Sequence, residues 1–121
     1  IVDEARAHGF DDAIIFNSAN NVTETGLSNL AFLFDGEWFT PPITAGLLPG
    51  TMRSLAIEKC GVQVRNIHIT EVPAANEIYL LSSLKIAQPV QQVGEMRFPC
   101  GPASIAFGEL IREKIQYFSV V

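Results

Sequence analysis

The sequence predicts an α+β domain built on a mixed, strongly curved sheet, and three observations carry that prediction. Short apolar runs bounded by Gly, Pro, Asn and Asp recur along the 121 residues and read as strands. Two longer segments with helical spacing, residues 51–60 and the stretch after Pro102, interrupt those runs at intervals. Hydrophobic residues make up 48% of the chain and charged residues 17%, so it can bury one core and is not a disordered segment.

Residues 1–8 read as the last turns of a helix, with Ile1, Val2, Ala5 and His8 on one face and Gly9 as the stop. Residues 13–16 form a short apolar strand, 18–21 a turn rich in Asn, and 22–24 the returning strand. Residues 30–34 and 37–40 make a second hairpin closed by Asp35-Gly36, the strongest two-residue turn signal present. A helix over 51–60 ends at Gly61. Residues 63–69 alternate imperfectly and predict a strand partly covered on both faces. Residues 71–76 predict one helical turn, 77–82 an apolar strand, and 85–93 a strand-like segment interrupted by Pro89. Gly101-Pro102 opens a closing amphipathic helix whose apolar stripe is Ile105, Phe107, Leu110, Ile111 and Ile115.

Composition narrows the function classes. A net charge of −5 without clustered Lys and Arg argues against nucleic acid as a partner. No apolar run is long enough to cross a bilayer, which argues against a membrane role. Cys60 and Cys100 stand far apart and match no metal-ligand spacing, so no metal site is expected and both read as reduced thiols of a cytoplasmic protein. A surface this poor in charge predicts a covered face, against a further domain or another subunit. The sequence starts at Ile1 without a Met, which predicts a natural N-terminus upstream.

The most informative stretch is Thr40-Pro41-Pro42-Ile43-Thr44-Ala45-Gly46-Leu47-Leu48-Pro49-Gly50-Thr51-Met52-Arg53. Two prolines stiffen a loop, Pro49 and Gly50 set a turn, and a helix begins directly after. Backbone N–H groups at Gly50, Thr51 and Met52 then lack intrahelical partners, and with the helix dipole they favour an anion such as phosphate. Upstream, Val22-Thr23-Glu24-Thr25-Gly26-Leu27-Ser28-Asn29-Leu30 puts one carboxylate at a strand end before a Gly-containing turn.

Together these segments resemble the cofactor half-site of the fold-type IV pyridoxal-phosphate enzymes, which include branched-chain aminotransferases, D-amino-acid aminotransferases and aminodeoxychorismate lyases. The resemblance runs over residues 5–93 in the family's order. Gly9-Phe10-Asp11-Asp12-Ala13-Ile14 is similar to its G-x-D-(D/E)-A-(L/I) stretch, Val22-Thr23-Glu24 to V-(T/S)-E, and Ser28-Asn29-Leu30 to S-N-(L/I/V). Thr40-Pro41-Pro42 resembles T-P-P, and Leu48-Pro49-Gly50-Thr51-Met52-Arg53 resembles L-P-G-(I/V)-x-R. Ala75-Asn76-Glu77-Ile78-Tyr79 resembles A-D-E-(V/I)-(F/Y), with Asn76 where Asp is usual. Ser82-Ser83-Leu84-Lys85-Ile86-Ala87-Gln88-Pro89-Val90 resembles the lyase-type N-(S/A)-L-(R/K)-x-x-x-P-V, with Ser82 in place of Asn.

The resemblance implies the large C-terminal domain of such an enzyme, a pseudo-barrel with flanking helices like that of D-amino-acid aminotransferase-like proteins. It implies pyridoxal 5'-phosphate as cofactor, with Glu24 beside the ring nitrogen, Leu48 against the ring, and Gly50, Thr51 and Met52 around the phosphate. Ser83 matches a position that supplies a hydroxyl to the same phosphate, and also reads as an ordinary turn serine. Arg53 reads either as backing for the phosphate or as a surface pair; Asn29 reads as a tie between loops; His8 and His68 read as non-catalytic. The family's Schiff-base lysine precedes the carboxylate by more residues than stand before Glu24, and Lys59, Lys85 and Lys114 match no such position. The expectation is therefore that no catalytic residue lies in this chain, that the lysine falls upstream of Ile1, and that the small N-terminal domain is missing. The implied function is part of a 4-amino-4-deoxychorismate lyase, which eliminates pyruvate to give 4-aminobenzoate on the folate route, as a homodimer acting on a small molecule. A class IV aminotransferase and a non-catalytic assembly domain that kept the fold are the alternatives.

Overall fold

A computed structural model describes residues 3, 7, 9, 11–82, 86–98 and 101–114. Its centre is the strand β3, Asn29–Phe34, whose first five residues are all buried. Alternation along β3 sends Leu30 and Phe32 to one side and Ala31 to the other, and β6, Glu77–Ser82, does the same with Ile78 against Tyr79 and Leu81. Each side holds its own core. On one, Ala31, Tyr79 and Leu81 pack with Met52 and Ala56 of helix α1, Thr51–Lys59, and with Phe107 and Ile111 of helix α2, Pro102–Lys114. On the other, Leu30, Phe32 and Ile78 pack with Val22, Ile67, Val72 and Phe98.

Five strands make this sheet, in the order β5-β4-β3-β6-β7, with β4 at Glu37–Thr40, β5 at Gln63–Val64 and β7 at Ile86–Pro89. The β4–β5 pair is parallel and the other pairs are antiparallel, so the sheet is mixed and the class is α+β. Asp35 and Gly36 close the β3–β4 hairpin with φ of 49° and 81°, the conformation that a two-residue hairpin turn demands. The strands β1, Ile14–Phe16, and β2, Val22–Thr25, form a separate antiparallel pair. Between them Asn17 Oδ1 accepts the N–H groups of Ala19 and Asn21 at 3.0 and 3.1 Å, and Asn20 takes the left-handed conformation.

Several expectations shift. The strand expected over 63–69 stops at Val64; from Arg65 the chain turns so that Ile67 reaches the second core and His68 bridges Asn21. His68 is thus no strand residue: it caps the 3-10 turn Ile69–Ala74, accepting the Thr70 N–H while Glu71 accepts the His68 N–H. The segment over 85–93 divides into the edge strand β7, which tolerates Pro89, and β8, Gln92–Val93, which pairs with β9, Met96–Arg97. On α2 the buried stripe is Ser104, Phe107, Gly108 and Ile111, while Ile105 is 54% exposed. Gly108 sets that face, because a β-carbon there would stand 2.5 Å from the Tyr79 hydroxyl. The helix expected over 1–8 falls mostly outside the described residues, as do Ile115, Cys100 and His8. Cys60 is buried and unbridged, and burial raises its pKa against the opposing pull of Lys114.

Candidate functional site

One wall of the site begins with an irregularity. Between the paired positions Ile14↔Thr25 and Phe16↔Val22, β2 carries one residue more than β1, so Thr23 and Glu24 face the single residue Ile15. Thr23 is buried and donates its hydroxyl to the Ile15 carbonyl at 2.8 Å, while Glu24 stands half-buried at a cleft. The turn that follows is tied by Thr25. Its Oγ1 accepts the N–H groups of Leu27 and Ser28 at 3.2 and 2.8 Å, and the Gly26 N–H donates to Asp12 Oδ1 at 2.9 Å. This holds Leu27, 54% exposed, at the rim.

The facing wall is the turn into α1. The Asn29 amide spans it: Nδ2 donates to the Leu48 carbonyl at 3.0 Å, and Oδ1 accepts the Gly50 N–H at 3.1 Å. Gly50 is the N-cap and offers no capping side chain, and the first helical bond runs from the Ser54 N–H to the Gly50 carbonyl. The N–H groups of Thr51, Met52 and Arg53 thus lack partners among the described residues. Expectation and structure part at Gly50, whose N–H is not open but held by Asn29; the open donors start one residue later.

Glu24, Leu48, Gly50, Thr51 and Met52 line a single cleft of about 400 Å³, together with Leu27, Leu81 and Ser82. Across it, Glu24 Oε1 accepts the Leu48 N–H at 3.3 Å. Leu48 is no core leucine: it is 77% exposed and offers its side chain to the cleft. Ser83 lies outside the described residues, as does Lys85; Ser82 is the described serine on this stretch, and it lines the cleft. Of the described lysines, neither Lys59 nor Lys114 reaches the cleft. Arg53 follows Met52 yet points away, its Nη2 donating to the Pro41 carbonyl at 3.0 Å.

The arrangement is chemically directed. Open amides at a helix start favour an anion, a carboxylate favours a protonated nitrogen, and exposed leucines on the same cleft offer apolar contact. The Asn29 tie between loops is as expected, whereas the Thr25 tie, the β2 irregularity and the part of Leu27 are not legible in the sequence. Thr25-Gly26-Leu27-Ser28 carried the one available signal, a hydroxyl placed to bond N–H groups two and three residues on.

A family model described as amino-transferase class IV matches residues 2–93. The branched-chain-amino-acid aminotransferase of Escherichia coli K12 is 32% identical over 111 residues, covering 84% of this chain and 35% of that protein. The aminodeoxychorismate lyase of Vibrio harveyi is 31% identical over 101 residues, covering 76% and 37%. Among solved structures, an aminotransferase from Brucella abortus bound to the cofactor PLP superposes with a TM-score of 0.83 at 28% identity, covering 93% of this chain and 42% of that one. The chain thus spans about a third of the length of these two curated relatives.

Proposed function

We propose, from the premise that this chain belongs to the amino-transferase class IV family, that its cleft holds pyridoxal 5'-phosphate for chemistry on a small amino-bearing substrate. The observation that carries this reading is that Glu24 and the open α1 start line the same cleft. The residues suit the group. The Thr51 and Met52 amides are free to receive a phosphate, Leu48 offers an apolar surface for a flat ring, and about 400 Å³ lies within the range of cofactor sites.

When bound, pyridoxal phosphate supplies an electron sink for bonds broken at the substrate's α-carbon. Glu24 keeps the ring nitrogen protonated, since an opposite charge at contact raises that nitrogen's pKa by about 1–3 units. Thr51 and Met52 fix the phosphate through their backbone, and Ser82 or Ser83 adds a hydroxyl. Leu27 and Leu48 exclude water from the ring faces. The amine that takes the substrate proton is assigned to a lysine upstream of Ile1, and a separate small N-terminal domain is proposed to complete the pocket. The enzyme is read as a cytoplasmic homodimer, the low surface charge supporting a covered face.

For the reaction, the sequence 47–53 and the Vibrio relative support elimination of pyruvate from 4-amino-4-deoxychorismate to give 4-aminobenzoate. The longer match to the Escherichia coli relative supports transamination as the second reading. The test uses the full-length gene product with added pyridoxal phosphate. The lyase reading expects 4-aminobenzoate and pyruvate in equal amounts; transamination expects conversion of a 2-oxo acid with an amino donor. No absorbance band near the visible edge, with Glu24→Ala without effect, would leave only the non-catalytic assembly domain.

A further inference from the structure

We infer that Arg53 is a positioning residue for the phosphate at the α1 start: its buried guanidinium has no acidic partner among the described residues and takes the bound dianion as its counter-charge. The inference rests on the cofactor reading above. Arg53 is only 4% exposed. Its Nη2 donates to the Pro41 carbonyl, and its Nε is buried without a hydrogen-bond partner among the described residues. Among the described residues no carboxylate pairs with it; the ion pair present is Arg65–Glu71, on another part of the surface.

Two terms oppose a cation at this place. Burial strips its water, and the first turn of a helix is the positive end of the helix dipole, where acidic residues belong and none stands. Burial alone lowers the guanidinium's pKa, with no neighbouring carboxylate pulling it back, yet arginine remains charged. Arg65 shows how the same fold satisfies an arginine held for structure. That side chain is partly exposed, lies over the rings of Phe34 and Phe39 at 4.9 and 4.7 Å, and bonds Glu71 at 3.0 Å.

An anion at the Thr51 and Met52 amides relieves both terms at once. Because Arg53 does not line the cleft, it acts through its field and by fixing the Pro41 carbonyl against the helix, not by touching the ligand. At the low effective dielectric of a buried site, one such charge is worth on the order of tenfold or more in phosphate affinity.

The test titrates the full-length gene product, its Arg53→Met variant and its Arg53→Lys variant with pyridoxal phosphate and with pyridoxal, which lacks the phosphate, following absorbance. Arg53→Met is expected to weaken pyridoxal phosphate by roughly tenfold or more while pyridoxal changes by less than about twofold, and Arg53→Lys to restore most of the preference. Equal weakening of both ligands, or of neither, overturns the inference and leaves Arg53 a structural strut. Should Arg53→Met not fold, Arg53→Lys decides alone: a retained preference for the phosphorylated ligand supports the inference and a lost one overturns it. A wild-type protein that binds no pyridoxal phosphate sinks the cofactor reading and this inference with it. Normal wild-type binding with an unmoved preference in Arg53→Met sinks only the role of Arg53.

Discussion

Gly50 donates its N–H to Asn29 Oδ1 at 3.1 Å, and a β-carbon added at Gly50 would stand 2.6 Å from that same oxygen. The φ of Gly50 is an ordinary −66°, so glycine is required here by the approach of Asn29 and not by backbone conformation. Gly50→Ala is expected to cost about 1–3 kcal/mol in urea unfolding. Asn29→Ala is expected to cost a similar ~1–3 kcal/mol, because it leaves the Leu48 carbonyl and the Gly50 N–H unpaired. The double variant removes the collision, so it should be less destabilised than the sum of the two by about 1 kcal/mol. Additive losses would mean that the two residues do not constrain each other.

Glu24 is expected to matter for chemistry far more than for stability. Its carboxylate has one long bond, 3.3 Å, to the Leu48 N–H, in a half-exposed position. Glu24→Gln in the full-length gene product should leave the unfolding midpoint nearly unchanged. It should lower turnover by about 10- to 1000-fold, the equivalent of about 1–3 pKa units at the ring nitrogen. Retained turnover would remove Glu24 from the ring.

Much of this was legible in the sequence where local chemistry decides. The Asp35-Gly36 hairpin, the strand over 77–82 and the helix from Thr51 follow from turn residues and periodicity, which tertiary packing does not override. Residues 63–69 depart from the expected strand because Ile67 belongs to the core around Val22, a contact across the chain that no local alternation encodes. The same holds for α2, where the Gly108 approach to Tyr79 and not hydrophobicity decides that Ile105 faces out. At the site, the residues were visible but their detail was not. The tie of Gly50 to Asn29 depends on two segments meeting, and the extra residue in β2 depends on register with β1.

Glu71 gives a pH signature. Its pKa is lowered, first by the bond from the His68 N–H at 2.8 Å and then by Arg65, against the opposing effect of burial. A depressed carboxyl pKa contributes stability that is present above its ordinary value of 4.5 and is lost as pH falls through the folded value. The stability difference between wild type and Glu71→Gln should be constant from pH 7 to about 5 and shrink below about 4.5. With both partners partly exposed the difference is small, and 1 M salt should reduce its Arg65 share but leave the share of the His68 N–H bond. A difference that grows in acid would reverse the assignment.

Glu77 fastens α2 to the sheet from far along the chain. Its Oε1 accepts the Gly101 and Ser104 N–H groups, both at 2.9 Å, inside the buried end of β6, and so serves two donors that the helix start leaves open. Glu77→Ala removes the acceptor from one buried and one partly buried donor and is expected to cost about 2–4 kcal/mol in urea unfolding. Glu77→Gln keeps a carbonyl oxygen in the same place and is expected to lose only about 1 kcal/mol, the difference between a charged and a neutral acceptor. Hydrogen exchange locates the effect: in Glu77→Ala the first turn of α2 should lose protection before β3 does. Equal losses in the Gln and Ala variants would show that the charge, not the acceptor position, holds the helix.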